Sequence, residues 1–393
     1  MSLLDKIRTS NALRDAETLR RYRLEHAVRD GAYAQVDGRR LLNFSSNDYL
    51  GFAQHPKIVE AFQKGAAQYG VGSAGSALVS GYFSAHRELE KQAAELFRYQ
   101  ACLYVGSGYL ANIGVLQTLL DETSLCLQDK LNHACLLDGA RFSGCMLKRF
   151  AHQDMAHAES ICAPQSNNSV FIISDGVFSM DGDAADVNAL AALAKKYSAT
   201  LMIDDAHGVG VLGETGLGSL QAAKCSGTDV PIVVIPAGKA LGGQGALILA
   251  STEIIQYVIE SARAYLFSTA PAPAMAVALS QSLRCLRDEP EHHGALQKNI
   301  QHFVTLAKHA QLPVLASHSA IQPLLIGCNQ RTVQLAEQLR KQGFWLSAIR
   351  PPTVPQNKAR LRITLTALHT AEHIEQLVES LFNALKNDDD SAQ

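Results

Sequence analysis

Short apolar runs alternate with amphipathic stretches from Ala101 to about residue 250. The runs ACLYV, SLCLQD, SVFIIS, TLMID, PIVVI and ALILA each predict a buried strand, whereas YLANIGVLQTLL and VNALAALAKKYSA have the apolar spacing of helices. Strands that alternate with helices in this way predict a parallel or mixed sheet covered by helices. Only a short glycine-rich segment separates PIVVI from ALILA, so these two runs predict a hairpin-like pair within a mixed sheet.

The two ends of the chain have different patterns. Residues 1–30 have the spacing of a helical arm, and AYAQVDGRRLLNF predicts a β-hairpin that turns at Asp37-Gly38. After about residue 285, the runs IQPLLIG, WLSAI and ARLRITL predict strands that alternate with two amphipathic helices. We therefore predict an α/β protein with a helical arm and hairpin at 1–45, a large α/β domain at 46–284 and a smaller α+β domain at 285–393.

Composition narrows the class of protein further. The 393 residues are 47% hydrophobic and 18% charged, with a net charge of −2, which is typical of globular proteins and disfavours nucleic acid or an anionic membrane as a partner. No apolar run is long enough to span a bilayer, and the charged N-terminal segment lacks the apolar core of a signal peptide. The eight cysteines form no Cys-x-x-Cys pair, which indicates reduced thiols in the cytoplasm rather than disulfides or zinc.

Two glycine-rich segments could bind phosphate. GVGSAG, Gly70 to Gly75, matches the dinucleotide-binding fingerprint, but that fingerprint must follow a strand, and here a helix precedes it. A plain loop is therefore the favoured interpretation. VGSGYLAN follows a strand and opens a helix, so the backbone N–H groups of Gly108 and Tyr109 could hold a phosphate. A tight turn without a ligand explains that segment equally well.

Polar side chains recur where the predicted strands end. Asp204 and His207 follow TLMI, Ser179 follows SVFIISDGVF, His133 follows SLCLQD, and Lys239 follows PIVVI. In open α/β sheets, ligands bind outside the carboxyl ends of the strands. We therefore expect these side chains to converge on one site.

Each of these residues also has a plainer interpretation. His133 could be a structural histidine, and Asp204 with His207 could be part of a metal pair, although no third ligand lies nearby. Spacing does not decide whether Asp204 or Asp205 is the buried carboxylate. Taken together, however, a lysine that can form a Schiff base, a carboxylate, a ring that can stack, a hydroxyl and a phosphate cup predict a pyridoxal phosphate site without a metal.

The chain resembles the α-oxoamine synthases, which are pyridoxal-phosphate enzymes of fold type I, from about Leu19 to Leu385. The resemblance rests on the blocks NFSSNDYLGFAQHP, LVSGY, LNHACLLDGA, VFSMDGD, DDAHGVGVLGETGLGS and GKALGG. AIRPPTVP followed by RLRITLTALHT is similar to the branch that condenses L-alanine with a pimeloyl thioester in biotin biosynthesis. The resemblance implies a cytoplasmic, homodimeric acyltransferase with active sites at the subunit interface. Its acyl donor would be carried on coenzyme A or on an acyl carrier protein.

The resemblance also implies roles for individual residues. Lys239 forms the Schiff base with the cofactor and acts as the general base, and His133 stacks on the cofactor ring and can hydrogen-bond the thioester carbonyl. The other roles it implies are Asp204 at the ring nitrogen, His207 and Ser179 near the phenolic oxygen, Gly108 and Tyr109 at the phosphate, Thr269 at the phosphate of the partner subunit, Arg362 at the amino-acid carboxylate, and Arg21 and Thr353 at the acyl substrate.

The chain departs from the family pattern at one phosphate contact. Pro236 stands three residues before Lys239, where the family usually has a threonine whose hydroxyl bonds the phosphate. Three alternatives stay open at this point: a sister synthase that uses glycine, a catalytically inactive scaffold subunit, and a nicotinamide dehydrogenase that uses Gly70 to Gly75.

Overall fold

The computed structural model describes residues 1–163 and 169–391. The strands are β1 His26–Asp30, β2 Tyr33–Val36, β3 Arg39–Asn43, β4 Ala101–Val105, β5 Ser124–Asp129, β6 Met146–Phe150, β7 Ser169–Asp175, β8 Thr200–Asp204, β9 Ile232–Pro236, β10 Ala246–Ala250, β11 Ile321–Gly327, β12 Phe344–Trp345, β13 Ser347–Ile349 and β14 Ala359–Thr364.

The α-helices follow in chain order. They are α1 Leu3–Ala16, α2 Pro56–Tyr69, α3 Ser84–Phe97, α4 Gly108–Leu119, α5 Ala134–Ser143, α6 Met155–Cys162, α7 Val187–Lys196, α8 Ser219–Ala223, α9 Thr252–Ser261, α10 Arg263–Leu266, α11 Pro273–Asp288, α12 Pro290–His309, α13 Asn329–Lys341 and α14 Ala371–Ser391. Among the described residues, none of these helices combines the length and the apolarity that crossing a membrane requires.

The chain divides into two compact units. One, the sheet unit, comprises Asp48–Ser179 and Asp183–Gly294, and the other, the terminal unit, comprises Met1–Asn47, Met180–Gly182 and Ala295–Gln393. The residues before 48 thus belong to the same unit as those after 294. The three domain boundaries expected from the sequence stay a prediction.

The sheet unit is built on seven strands in the order β4-β10-β9-β8-β7-β5-β6. The pairs from β9 to β6 are parallel, whereas β10 runs antiparallel to both β9 and β4. This confirms the mixed, mostly parallel sheet and the hairpin-like pair expected from PIVVI and ALILA. The edge strand β6 escapes the sequence pattern because four of its five residues, MLKR, are partly or fully exposed.

The core of the sheet unit lies between the sheet and the helices that cover it. Leu103, Val115, Ile173, Val234 and Ile248 belong to one buried cluster there, each no more than 1% exposed. Burying one such side chain contributes about 1.5–3 kcal/mol, so this cluster fixes the positions at which the strands end. Polar caps set where several helices begin; the side chain of Asp186, for example, accepts a hydrogen bond from the N–H of Ala189 at the start of α7.

The terminal unit contains two small sheets, with strand orders β1-β2-β3-β12 and β11-β14-β13. The predicted hairpin is confirmed, because β2 and β3 pair through a turn in which Asp37 and Gly38 have φ of 49° and 73°. The helical arm predicted for 1–30 is wrong beyond α1, since β1 pairs with β2 instead. WLSAI splits at Leu346 into β12 and β13, which join different sheets.

Candidate active site

The carboxyl ends of several strands meet at one edge of the seven-stranded sheet. Val105 and Pro236 both pair with Ala246 of β10, and Asp204 pairs with Asp175 of the neighbouring strand. Five residues singled out in the sequence follow the ends of β4, β5, β7, β8 and β9 within a few positions: Gly108, His133, Ser179, His207 and Lys239. The fold therefore brings these residues to the same edge.

Two consecutive aspartates lie at the end of β8, and both are buried. Asp204 is 3% exposed, and its carboxylate accepts hydrogen bonds from Asn112 Nδ2 at 2.5 Å and from the N–H of Ala206 at 3.0 Å. Asp205 accepts from the N–H of Ser219 at 2.8 Å and from the Ser219 hydroxyl, and burial raises its pKa to about 6. Asp205 therefore anchors the start of α8, whereas Asp204 belongs to the edge of the sheet.

Lys239 is half-buried in a turn held by its own backbone. The N–H of Gly242 donates to the carbonyl of Lys239 at 2.8 Å, and the N–H of Ala237 donates to Gly245 at 2.9 Å. Burial raises the pKa of Asp175 well above its ordinary value, and the charge of Lys239 opposes that rise. The same charge adds to the lowering of the pKa of His133. Lys239 therefore acts electrostatically on a group at the end of β7 and on one that follows β5.

His133 is positioned by its backbone and by a thiol. Its N–H donates to Asp175 Oδ2 at 2.9 Å, and its Nδ1 lies 2.8 Å from the Sγ of Cys135. Partial burial lowers the pKa of His133 below its ordinary value; the charge of Asp204 opposes this, and that of Lys239 adds to it. The ring is therefore neutral at neutral pH.

His207 and Ser179 have different surroundings at the same edge. His207 is buried, and its Nδ1 lies 2.5 Å from the hydroxyl of Tyr49, which is itself fully buried. Ser179 is half-buried in the turn after β7. The ring of His207 is therefore oriented by Tyr49, a residue to which the sequence assigns no role.

The start of α4 packs against the end of β9. Ser107 caps the helix by accepting a hydrogen bond from the N–H of Leu110 at 3.2 Å, and Gly108 is the first residue of α4. A Cβ atom on Gly108 would lie 2.6 Å from Cγ of Pro236, which leaves room for glycine only. Tyr109 directs its side chain outward, where its hydroxyl donates to Asp138 at 2.8 Å.

The terminal unit holds the predicted substrate-binding residues. Arg362 is 6% exposed, and its guanidinium donates to Asn47 Oδ1 and to Thr364 Oγ1, both at 3.0 Å. Arg21 donates to the hydroxyl of Thr353 at 2.8 Å, so these two residues are in direct contact.

Arg21 and Thr353 line a cavity of about 890 Å³ in the terminal unit. Four arginines and three acidic residues contribute to its wall: Arg20, Arg21, Arg340, Arg350, Asp15, Asp37 and Glu337. Burial, and after it the charge of Arg21, lowers the pKa of Arg350, whose guanidinium donates to the carbonyls of Thr18 and Arg20. The wall is therefore polar and carries charges of both signs.

Two further parts of the chain were singled out in the sequence: Thr269 and the glycine-rich segment Gly70 to Gly75. Thr269 is exposed, and the N–H of the next residue, Ala270, donates to the carbonyl of Gly75 at 2.9 Å. The segment Gly70 to Gly75 follows α2 as a loop and leads into a π-helical turn, Ala77–Gly81. Because no strand precedes it, the dehydrogenase interpretation is wrong, and the loop interpretation holds.

Sequence reasoning missed four residues at this edge: Tyr49, Asn112, Cys135 and Asp175. Asp175 carried a usable signal, since it ends an apolar strand as Asp204 does. Asn112 did too, because it interrupts the apolar helix α4 at a position that is 0% exposed. Nothing in the sequence connects Tyr49 with His207, which lies 158 positions away.

Comparisons with known proteins show the family to which this chain belongs. A family model described as aminotransferase class I and II matches residues 39–381. An 8-amino-7-oxononanoate synthase of Stenotrophomonas maltophilia is 44% identical over 383 residues, which cover 97% of this chain and 94% of that protein. One from Saccharophagus degradans is 42% identical and covers 98% of both chains. This chain belongs to the 8-amino-7-oxononanoate synthase family. The resemblance stated from the sequence is therefore confirmed.

Solved structures agree with this assignment at the level of the fold. A serine palmitoyltransferase variant from S. paucimobilis, solved with pyridoxal phosphate and myriocin, has a TM-score of 0.94 at 22% identity and covers 98% of this chain and 99% of its own. An 8-amino-7-oxononanoate synthase from Francisella tularensis has a TM-score of 0.78 at 28% identity, covering 88% and 98%. The predicted fold type I transferase is thus confirmed.

Proposed function

We propose that this protein is an acyltransferase that condenses L-alanine with a pimeloyl thioester and releases carbon dioxide and the free thiol. The product is 8-amino-7-oxononanoate, an intermediate of biotin biosynthesis. In the balanced reaction, the alanine Cα loses its proton and forms a bond to the thioester carbonyl carbon, whose C–S bond breaks to release the thiol. The alanine carboxylate leaves as carbon dioxide, and Cα takes up a proton in its place. The relatives that are 44% and 42% identical over nearly the whole chain support this substrate pair.

The residues at the sheet edge fit pyridoxal phosphate as the cofactor. A half-buried amine, a buried carboxylate, a neutral imidazole and a glycine-restricted helix start are the groups that such a molecule needs around it. When bound, this cofactor supplies an aldehyde that condenses with amines and a ring that accepts electrons from Cα. Lys239 would hold the aldehyde, and the first N–H groups of α4, at Gly108 and Tyr109, would hold the phosphate.

Asp204 would keep the ring nitrogen protonated. Its two oxygens accept hydrogen bonds from Asn112 and from the N–H of Ala206, which hold the carboxylate in place at the sheet edge. His207, oriented by Tyr49, and Ser179 would donate hydrogen bonds near the phenolic oxygen. His133 would stack on the ring face, since a neutral imidazole is better suited to stacking there than a charged one.

Proton transfer would fall to Lys239. When alanine occupies the site, the amine of Lys239 would be free to remove the Cα proton of alanine, provided that the lysine amine is neutral. His133 could hydrogen-bond the thioester carbonyl as negative charge develops on the oxygen.

The terminal unit would supply the substrate-binding groups. Arg362, whose guanidinium is held by Asn47 and Thr364, would bind the carboxylate of alanine. Arg21 and Thr353 would meet the acyl substrate.

The observation that carries this proposal is the meeting of Lys239, Asp204, His133 and His207 at one sheet edge in a member of this family. The test is product identification by mass spectrometry, with alanine or glycine supplied against pimeloyl, acetyl and succinyl thioesters. We expect 8-amino-7-oxononanoate from alanine and a pimeloyl thioester alone. A preference for glycine would favour a sister synthase, and parallel assays with coenzyme A and acyl carrier protein thioesters would identify the carrier.

An inactive scaffold subunit is tested separately, by the absorption spectrum. The purified protein should carry a visible band from cofactor bound at Lys239, and Lys239→Ala should abolish both that band and turnover. Turnover by the alanine variant would refute the role of the lysine.

A homodimer is the expected assembly. Leu78, Val79 and Phe267 are 56%, 83% and 73% exposed, so they offer apolar surface to a partner, and Thr269 lies two residues from Phe267. Thr269 would reach the phosphate of the partner subunit. Sedimentation analysis tests the assembly, and a monomer that turns over at the wild-type rate would contradict it. All eight cysteines are free thiols, which supports a reducing compartment such as the cytoplasm.

A further inference from the structure

A cluster of metal-binding side chains lies where α2 begins and α11 ends. It consists of His55, Cys285, Glu289 and His292, none of which has a role in the proposed reaction. One ligand atom from each of His55, Cys285 and Glu289 lies within 4.8 Å of the other two. We propose that these four side chains form a binding site for Zn²⁺, which we call the α2–α11 site.

The spacing of the ligand atoms suits a tetrahedral ion. Nε2 of His55 and Nε2 of His292 lie 3.0 Å and 3.6 Å from the same oxygen, Oε2 of Glu289, and Nδ1 of His55 lies 4.0 Å from Sγ of Cys285. Tetrahedral zinc with bonds of about 2.0–2.3 Å holds its ligand atoms about 3.3–3.6 Å apart. The first three ligands therefore lie within reach of one ion, with His55 contributing one of its two nitrogens. His292 contacts the cluster through Glu289, so its ring would have to turn toward Cys285 to become the fourth ligand.

Neighbouring groups already orient these ligands. Nδ1 of His292 lies 3.1 Å from the carbonyl oxygen of Leu50, which can only accept a hydrogen bond, so Nδ1 is the donor there and Nε2 is the nitrogen that faces Glu289. Lys57 donates to Oε1 of Glu289 at 2.8 Å, which leaves Oε2 facing the histidines. A backbone carbonyl on the far nitrogen of a histidine and a hydrogen bond on the far oxygen of a carboxylate are the usual outer partners of metal ligands.

The chemistry of the ligands selects the ion. One sulfur, two imidazole nitrogens and one carboxylate oxygen suit zinc, whereas magnesium and calcium prefer oxygen alone. Cys285 is 1% exposed, and the side chains of His55, Glu289 and His292 are 11%, 14% and 24% exposed, so the site is shielded but reachable. Binding would release the thiol proton of Cys285 to solvent, and the thiolate and carboxylate would then balance the two charges of the ion.

An ion-pair cluster without metal is the competing interpretation. Lys57, Glu289 and His55 form such a cluster by themselves, and it would also join α2 to α11. That interpretation does not require the Cys285 thiol, which faces the other nitrogen of His55. From the sequence we predict no metal, because the cysteines form no Cys-x-x-Cys pair. His55 and Cys285 are 230 positions apart, so spacing along the chain does not reveal this cluster.

The test is zinc binding by the full-length protein after treatment with a chelator and buffer exchange. Affinity is measured by competition with a zinc-binding dye, and stoichiometry by elemental analysis. We expect one Zn²⁺ per chain and no binding of Mg²⁺. Cys285→Ser and His292→Gln should each weaken zinc binding at least about tenfold. Cys225→Ser, which removes a half-exposed thiol outside the cluster, should leave the affinity unchanged.

Cobalt provides a second measurement that reports on the thiol directly. Co²⁺ in the wild-type protein should produce a thiolate-to-cobalt charge-transfer absorption, which Cys285→Ser removes and Cys225→Ser retains. His292→Gln removes one ligand but keeps the thiol, so any cobalt that it still binds should show the charge-transfer absorption. Far-ultraviolet circular dichroism checks that each variant is folded. Absence of zinc binding at micromolar concentration, or equal affinity in all three variants, would overturn the proposal.

Discussion

His152 bridges two carboxylates beside the candidate active site, and its removal should cost stability in a pH-dependent way. Its Nδ1 lies 2.9 Å from Asp129 and its Nε2 lies 2.7 Å from Asp183, while its ring packs edge-on against Phe178, with centroids 4.5 Å apart. Burial alone would lower the pKa of His152, but the hydrogen bonds to the two aspartates outweigh it and raise the pKa to about 10. The bridge therefore holds a charged histidine at neutral pH.

The size of the effect follows from that pKa. A rise from 6.5 to about 10 corresponds to a stabilisation of at most about 5 kcal/mol, because each tenfold change in proton affinity is worth about 1.4 kcal/mol. In His152→Gln, Asp129 keeps the N–H groups of Leu131 and Gln153 as donors, both at 2.8 Å. We therefore expect a loss of about 3 kcal/mol at pH 6 rather than the full amount.

The sign of the pH dependence distinguishes this mechanism from lost packing. A folded pKa above the unfolded one gives stability that is complete below about pH 6.5 and declines as the pH rises toward 10. Urea unfolding of wild-type protein and His152→Gln should therefore differ by about 3 kcal/mol at pH 6 and by less than about 1 kcal/mol at pH 9.5. His318→Gln, at an exposed position, is the control and should show no such trend. An equal loss at both pH values would refute the charged bridge.

Three further substitutions test other parts of the structure. Gly108→Ala should destabilise the protein by about 1–3 kcal/mol, because its Cβ would meet Pro236 at 2.6 Å, and the added variant Pro236→Ala should recover part of that loss in urea unfolding. Tyr49→Phe should cost about 1–2 kcal/mol by leaving buried Nδ1 of His207 without the Tyr49 hydroxyl, and should lower kcat more than it raises KM. Arg362→Gln should raise the KM for alanine at least tenfold in the folded variant; an unaltered KM would exclude its carboxylate-binding role.

The alternation of strands and helices allowed much of the fold to be predicted. Strands buried on both faces, such as β8 and β10, stand out because nearly every residue in them is apolar. The prediction fails where pairing rather than apolarity makes the strand. HAVRD is mostly exposed and forms β1 only because β2 lies beside it, and MLKRF forms β6 at the sheet edge for the same reason.

One rule predicted part of the candidate site from the sequence. The rule that ligands bind at the carboxyl ends of strands led to Lys239, Asp204, His207 and His133, because each follows an apolar run. It could not find Tyr49, which contacts His207 from a segment that is not a strand. The α2–α11 site escaped in the same way, since its ligands come from the start of α2 and from the junction of α11 and α12, which are far apart in the chain.

Pro236 shows how the structure changes the meaning of a sequence difference. In the sequence, it is only the loss of a threonine hydroxyl that the family uses to bind the phosphate. In the structure, its ring lies where a side chain on Gly108 would begin, at the start of the helix whose N–H groups face the same edge. The proline ring thus limits position 108 to glycine, and glycine allows close approach of a ligand to the backbone. In the proposed site, phosphate binding would therefore depend more on backbone N–H groups, which no substitution at position 236 removes, than on a hydroxyl at that position.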